Sequence, residues 1–177
     1  MRFRRLIRQV KRAFQFRPWV VKNNNTNEKQ LLLRGKIRGK EFVIKKQNKA
    51  PEWRIIEKIN RQSLLKSLPR LQGKKYTLRA SKRYYSGGKI FEHYYDLPTR
   101  SEVLDVYIDR VSPKVEKICQ QANISPHEFY ENCEEAFKEL YNRMRRDPAV
   151  CSVDIYAGNV LVDVGTNGKI IFTLIDF

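Results

Sequence analysis

The sequence contains few of the residues that build metal centres and disulfide frameworks. It has three cysteines, Cys119, Cys133 and Cys151, which form no C-x-x-C pair, and two histidines, His93 and His127, which lie far apart. This composition argues against a structural zinc site. An odd number of widely spaced cysteines instead indicates buried, reduced thiols in a cytosolic protein.

Long apolar runs are also missing. No stretch approaches the roughly 18 consecutive apolar residues that indicate a transmembrane helix. The N-terminus lacks the uninterrupted apolar segment of a secretory signal peptide, and no internal repeat is visible. We therefore expect a cytoplasmic protein.

Negative charge is scarce. The 177 residues include 36 Lys and Arg against 19 Asp and Glu, which gives a formal charge of +17. Such a balance indicates an anionic partner: nucleic acid, an anionic membrane, a phosphorylated glycolipid, an acidic protein or ATP. The sign of the charge does not choose among them. With 41% hydrophobic residues, the chain can still bury the core of one domain or of two small lobes.

The most basic stretch is residues 2–17, which carry seven Arg and Lys and no acid. Its apolar residues follow helical i, i+3, i+4 spacing, which predicts a basic amphipathic helix within residues 1–22. Such a helix can lie on an anionic bilayer, here the inner face of the membrane. Docking on the protein's own core and binding to nucleic acid remain alternatives.

Residues 28–95 alternate between strand and helix patterns, which predicts a small sheet with one helix. Glycine and proline mark the breaks between the elements. The predicted elements are strands over Gln30–Ile37 and Glu41–Gln47, a helix from Pro51 to Leu68 that ends before Pro69, and strands over Lys75–Ser81 and Lys89–Tyr95.

Residues 96–177 begin with helix signals. Thr99 with Glu102, and Ser125 with Glu128, have capping-box spacing, and the second pair opens a helix to about Arg146. Its predicted core positions are Phe129, Cys133, Ala136, Phe137, Leu140, Tyr141 and Met144.

The C-terminal stretch places polar residues at the ends of two apolar runs. Asp154 and Asn159 precede the first run, the turn signal Gly165–Gly168 follows it, and the second run ends in Asp176. A hairpin would bring Asn159 and Asp176 close together. A carboxylate that accepts a hydroxyl proton, beside an amide and a carboxylate that hold Mg2+, is the minimal equipment for phosphoryl transfer from ATP.

The pattern D-x-x-x-x-N, a hydrophobic strand and then I-D-F resembles the catalytic loop and metal-binding motif of the protein-kinase-like superfamily. The nearest likeness is to its small bacterial branches: lipopolysaccharide core kinases, aminoglycoside phosphotransferases and short effector kinases. Ser152 stands where the family has histidine, and no G-x-G-x-x-G loop is present. The sequence ends at Phe177, so the family's activation segment and later helices have no counterpart in it.

The resemblance implies an α+β fold, with a kinase-like small lobe over 28–95 and a truncated helical lobe with a catalytic-loop hairpin over 96–177. It implies ATP and Mg2+ as cofactors, and as acceptor a hydroxyl of a membrane-associated glycolipid sugar or of a protein. The implied roles are catalytic base for Asp154, Mg2+ ligands for Asn159 and Asp176, phosphate contact for Lys45, partner of that lysine for Glu57, and crossing between lobes for 92–96.

Several alternatives stay open. Lys46 and Glu52 are the rivals of Lys45 and Glu57. A degenerate kinase without activity, and a hairpin that merely ends in polar residues, fit the same C-terminal pattern. A basic nucleic-acid-binding protein is the alternative from another class. It would use aromatic residues interleaved with cations, namely Tyr76, Tyr84, Tyr85, Tyr94 and Tyr95 near Arg79, Lys82 and Arg83.

Overall fold

A computed structural model describes residues 14–22, 29–37, 39–46, 51–86, 89–153 and 155–175. In these ranges the protein is α+β, with eight strands and four α-helices. The chain divides into two compact units. The first comprises Met1–Asn48 and Lys82–Tyr95, and the second comprises Lys49–Ser81 and Asp96–Phe177.

The first unit contains a five-stranded antiparallel sheet with the order β1-β2-β3-β6-β5. Its strands are β1 (Phe14–Lys22), β2 (Lys29–Ile37), β3 (Lys40–Lys46), β5 (Arg83–Ser86) and β6 (Lys89–His93). The strands predicted over Gln30–Ile37 and Glu41–Gln47 are confirmed as β2 and β3, which form an antiparallel hairpin. Gly39 lies in its turn with φ of +78°, a backbone conformation that glycine adopts without steric cost.

The N-terminal helix prediction is wrong over residues 14–22, which form β1. Residues 1–13, with most of the basic stretch, lie outside the described residues. The periodicity of the apolar residues misled the prediction, because the aromatic and β-branched residues of 14–22 favour a strand and pair along all nine residues with β2. Pro18 has no backbone N–H to donate, and β1 is an edge strand, where proline is tolerated.

Strand β5 was not predicted from the sequence, where the residues between the predicted strands Lys75–Ser81 and Lys89–Tyr95 were left as a break. Residues 83–86 pair antiparallel with β6, with Tyr84 opposite Phe91. The glycines at 87 and 88 dominated the local signal, and they lie outside the described residues. The two adjacent tyrosines were the strand signal, since aromatic residues favour a pleated surface.

The second unit contains a three-stranded sheet with the order β4-β8-β7. Strand β8 pairs parallel with β4 and antiparallel with β7. The elements are α1 (Pro51–Leu71), β4 (Tyr76–Ala80), α2 (Arg100–Leu104), α3 (Pro113–Ala122), α4 (Pro126–Arg146), β7 (Val160–Val164) and β8 (Ile170–Leu174). No helix among the described residues combines the length and apolarity needed to cross a bilayer.

The predicted end of α1 before Pro69 is wrong, because the helix continues through Pro69 to Leu71. Two side chains occupy carbonyl groups of the last turn. Gln72 Nε2 donates to the Leu68 carbonyl at 2.9 Å, and the Tyr76 hydroxyl donates to the Leu71 carbonyl. These hydrogen bonds and the burial of Leu71 hold the turn in spite of the proline.

The predicted helix starts are confirmed at both caps. Thr99 and Glu102 form a reciprocal capping box at α2, and the Ser125 hydroxyl accepts from the Glu128 N–H at 3.1 Å at α4. The predicted core positions of α4 are buried with one exception, Tyr141, which is 42% exposed. The hydroxyl of a tyrosine at the edge of an apolar stripe can remain in water.

Gly73, which follows α1, tests the packing beneath this helix. A methyl group there would overlap the ring of the buried Tyr76 and lie 2.8 Å from Glu139 Oε1. We expect Gly73→Ala to lower the free energy of unfolding by about 1–3 kcal/mol, the usual cost of overpacking, measured by urea denaturation. Gly158→Ala is the matched control, because its nearest neighbour would be Tyr156 Cε1 at 3.4 Å. Equal effects of the two substitutions would contradict the prediction.

Candidate functional site

The C-terminal hairpin forms as the sequence predicts. Val160 pairs with Leu174 at its open end, and the next residue, Ile175, donates its N–H to the Asn159 carbonyl at 2.8 Å. At the closed end, the Gly165 N–H donates to the Lys169 carbonyl at 2.8 Å, and Gly168 has φ of +74°. The main chain of Asn159 therefore lies opposite the residue that precedes Asp176.

The hairpin is fixed in place by its buried strands. Val160, Val162 and Phe172 have no exposed surface, and they belong to the core of the second unit. The Val162 N–H also donates to the Pro98 carbonyl at 2.9 Å, which ties β7 to the chain before α2. A site at the open end of this hairpin would therefore be held by two buried strands.

Asn159 ends a short 3-10 turn, Ala157–Asn159, just before β7. Its N–H donates to the Tyr156 carbonyl at 2.8 Å, and its side chain is half-buried. The turn and the hydrogen bond from Ile175 fix the backbone of Asn159 on both sides. Of the three predicted residues at the C-terminus, Asn159 is the one whose position the structure gives.

Asp154 and Asp176 lie outside the described residues, so their convergence with Asn159 stays a prediction. Their neighbours are described. Val153 and Ile155, which flank Asp154, pack against the core of the second unit. Ile175 is held by its hydrogen bond to Asn159.

Lys45 belongs to an ionic cluster with Glu92 and Arg83 in the first unit. Lys45 Nζ lies 3.2 Å from Glu92 Oε2, and Arg83 Nε lies 2.9 Å from Glu92 Oε1. The side chain of Lys45 is 18% exposed, that of Glu92 5% and that of Arg83 1%. A carboxylate this deeply buried requires such partners, because burial of an unpaired charge costs several kcal/mol.

Strand register explains the cluster. Glu92 on β6 lies opposite Val43 on β3 and opposite Arg83 on β5. Lys45 is two residues along from Val43, so it shares a face of the sheet with Glu92. From the sequence, Glu92 was expected in the strand Lys89–Tyr95 and at the start of the crossing between lobes, without an ionic role. Its role here requires β6 to pair between β3 and β5, which no local pattern indicates.

Glu57 is half-buried on α1, and that helix belongs to the second unit. Its pairing with Lys45 stays a prediction. Its rival Glu52 is exposed, whereas the side chain of Lys46 lies outside the described residues. The predicted crossing at residues 92–96 contains the division between the units, which falls between Tyr95 and Asp96.

The cysteines show no sign of a metal centre. Within the described ranges, no group of three or more His, Cys, Asp and Glu side chains could hold a metal ion. Cys119 and Cys133 are buried free thiols, and burial raises the pKa of Cys133 to about 12. The expectation of buried thiols is wrong for Cys151, which is exposed in the turn after α4.

Comparison with known proteins adds no family assignment. No family model matches the chain, and no curated protein matches it. The kinase-like interpretation therefore depends on the C-terminal motif, the hairpin that carries it and the position of Lys45.

Proposed function

We propose that this protein is a kinase-like phosphotransferase that moves the terminal phosphoryl group of ATP to a hydroxyl. The observation that carries the proposal is the β7–β8 hairpin. Its register sets Asn159 opposite Ile175. Asn159 is the last residue of the D-x-x-x-x-N motif, and Ile175 is the first residue of the I-D-F motif, so the two motifs meet at the open end of the hairpin. The finer description of the fold, a kinase-like small lobe followed by a truncated helical lobe, is part of this proposal.

Asn159 and Asp176 would hold Mg2+. They supply an amide oxygen and a carboxylate, the hard oxygen donors that Mg2+ prefers, and the remaining ligands would be phosphate oxygens and water. Bound there, the ion would neutralise charge on the ATP phosphates.

The remaining roles fall to Asp154 and Lys45. Asp154 would orient the acceptor hydroxyl and accept its proton. Lys45 would contact the phosphates. Glu92 is buried and lies 3.2 Å from Lys45, so the ammonium group has a fixed partner within the first unit. Catalysis would consist mainly of positioning and charge stabilisation.

The net charge of +17 does not choose among anionic partners, but the concentration of basic residues in 2–17 favours an acceptor at an anionic surface. We therefore propose a hydroxyl of a membrane-associated glycolipid sugar, with a protein hydroxyl as the alternative. The protein would then work at the inner face of the membrane.

A thermal-shift assay with Mg-ATP tests the proposal. A ligand at a hundredfold excess over its Kd stabilises the folded state by about 2.7 kcal/mol. For a chain of this size, the Tm should rise by about 5–10 °C. We expect the rise in the wild type, its loss in Asp176→Ala and its loss when EDTA removes Mg2+.

Asp163→Ala is the matched control. Asp163 lies in β7 of the same hairpin, where Oδ1 accepts from the Val164 N–H at 2.9 Å, and it has no assigned role in Mg2+ binding. Equal loss of the Tm rise in both variants would indicate damage to the hairpin. A wild type that Mg-ATP does not stabilise would contradict the proposal.

A further inference from the structure

A cluster of aromatic rings lies on one face of the five-stranded sheet. We call it the aromatic face and define it by Phe42, Tyr84, His93 and Tyr95. The His93 ring lies 4.5 Å from the Phe42 ring, 6.3 Å from the Tyr84 ring and 6.2 Å from the Tyr95 ring, between centroids. Tyr84 is 54% exposed, whereas Phe42 is 6% exposed and packs beneath the His93 ring.

The register of three strands produces this cluster. Phe42 on β3 lies directly opposite His93 on β6. On the other side of β6, the His93 N–H donates to the Lys82 carbonyl at 2.9 Å, next to the start of β5. Side chains alternate along a strand, so Phe42 and Lys45 are on opposite faces. The aromatic face is therefore the reverse side of the sheet from the Lys45 cluster.

Positive charge surrounds the rings. Lys40 precedes Phe42 by two residues, Lys82 precedes Tyr84 by two, and both lysines are exposed. Burial lowers the pKa of His93, and the charges of Lys40 and Lys82 lower it further. His93 is therefore uncharged at neutral pH and offers a flat, neutral ring in a positive field.

The acids of these strands are directed away from the aromatic face. Glu41 and Glu92 adjoin Phe42 and His93 in sequence, so alternation places them on the reverse side. There they pair with arginines: Arg34 Nη2 lies 2.7 Å from Glu41 Oε2, and Arg83 pairs with Glu92. The separation leaves aromatic rings and lysines together on one side.

We propose that the aromatic face binds single-stranded nucleic acid, with bases stacked on Tyr84 and His93 and phosphates near Lys40 and Lys82. Exposed rings on an antiparallel sheet stack unpaired bases, and flanking cations follow the phosphate backbone. A duplex keeps its bases stacked inside and cannot use the rings. Binding here is separate from the proposed transfer activity.

Only some of the tyrosines and cations that the sequence suggested for nucleic-acid binding belong to the aromatic face. Tyr76 is fully buried in the second unit, and Arg79 donates to Thr173 there at 2.6 Å. Tyr94 and Tyr85 are on the reverse face by alternation, and the Arg34 guanidinium lies 3.7 Å from the Tyr94 ring centroid. Tyr84, Tyr95 and Lys82 remain, and the structure adds His93, Phe42 and Lys40.

Fluorescence anisotropy with a labelled oligouridylate tests the proposal. A probe about 12 nucleotides long falls within the range of single-strand binding sites. We expect Tyr84→Ala to weaken binding about 5- to 150-fold, the range for loss of one stacked base, and Tyr84→Phe to bind like the wild type. The control is Tyr107→Ala, which removes a 73% exposed tyrosine of the second unit.

Two double variants distinguish phosphate contacts at the aromatic face from the effect of the protein's overall positive charge. Replacing Lys40 and Lys82 together by alanine should reduce the slope of log K against log salt by about 1.4, since each phosphate contact to a single strand contributes roughly 0.7. The double replacement of Lys66 and Lys117, both exposed on the second unit, removes equal charge and should leave the slope unchanged.

Three kinds of result would overturn the proposal. The first is absence of oligouridylate binding, or wild-type binding by Tyr84→Ala when thermal unfolding shows both proteins folded. The second is an equal loss in Tyr107→Ala, or a duplex of the same length bound as tightly as the single strand. The third is loss of binding in Asp176→Ala, which would place the oligonucleotide in the proposed ATP site.

Discussion

Replacing Glu92 by glutamine is expected to lower the free energy of unfolding by about 3–5 kcal/mol, the usual cost of breaking a buried ion pair. The substitution keeps the shape of the side chain and removes its charge. Lys45, at 3.2 Å, and Arg83, at 2.9 Å, would then lose the carboxylate they share. The loss of the carboxylate beside Arg83 should account for most of the destabilisation. The Arg83 side chain is 1% exposed, so water cannot replace the carboxylate there. Urea denaturation followed by far-UV circular dichroism measures the loss.

Glu41→Gln is the matched control for this prediction. Glu41 also lies in the five-stranded sheet and pairs with Arg34 at 2.7 Å, but the side chains are 32% and 36% exposed. Water screens such a pair, so its removal should cost less than about 1 kcal/mol. A similar loss of unfolding free energy in the two variants would show that burial does not set the strength of the Lys45 cluster.

Acid should remove the contribution of Glu41 to the free energy of unfolding. The hydrogen bond from Arg34 lowers the pKa of Glu41 below its ordinary 4.5. The carboxylate form is therefore favoured in the folded state, and its contribution to stability is present above that ordinary value. It is lost as pH falls through the lower folded pKa. For the wild type, the contribution of Glu41 should therefore disappear only below about pH 4.5.

The sequence predicted those features that local signals determine. The turn at Gly165–Gly168 and the apolar runs beside it predicted the C-terminal hairpin, and the structure supplies its register. The hydroxyls of Thr99 and Ser125, each followed by an acid three residues later, fixed two helix starts. These signals act over a few residues, so they operate in the same way in almost any tertiary setting.

Features that depend on distant pairing were not predictable. The helical spacing of the apolar residues up to Phe14 was extended over residues 14–22, which instead form a strand paired along nine residues with β2. Strand β5 needs β6 beside it. Pro69 would normally end a helix, and the hydroxyl of Tyr76, seven residues later, holds the turn that contains it.

The candidate site divides in the same way. Asn159 was predicted as a site residue from its spacing to Asp154 and from the hairpin, and the structure places its backbone opposite Ile175. Glu92 as partner of Lys45 was not found. Glu92 reaches Lys45 only because β6 lies between β3 and β5. The order of strands in a sheet cannot be read from the sequence of a single strand.

Replacing Asp154 by alanine is expected to reduce the rate of phosphoryl transfer by about 10²- to 10⁴-fold, the usual contribution of a positioned general base. The Tm rise produced by Mg-ATP should remain, because the proposed Mg2+ ligands are Asn159 and Asp176. The measurement is transfer of radiolabelled terminal phosphate from ATP to dephosphorylated lipopolysaccharide, to a protein acceptor and to water. Asp154→Asn, which keeps the shape but cannot take a proton, should lose as much.

Ser152→Ala provides the control, because Ser152 is exposed and lies two residues before Asp154, where the kinase-like motif that this stretch resembles has a histidine that braces the loop. It should keep most of the transfer rate, whereas Ser152→His should raise it if that bracing limits the wild type. Transfer that survives in Asp154→Ala would assign the base to another residue. A wild type that gains stability from Mg-ATP but transfers phosphate to none of the three acceptors would identify the degenerate, nucleotide-binding alternative, since binding would then persist without the chemistry that Asp154 is proposed to perform.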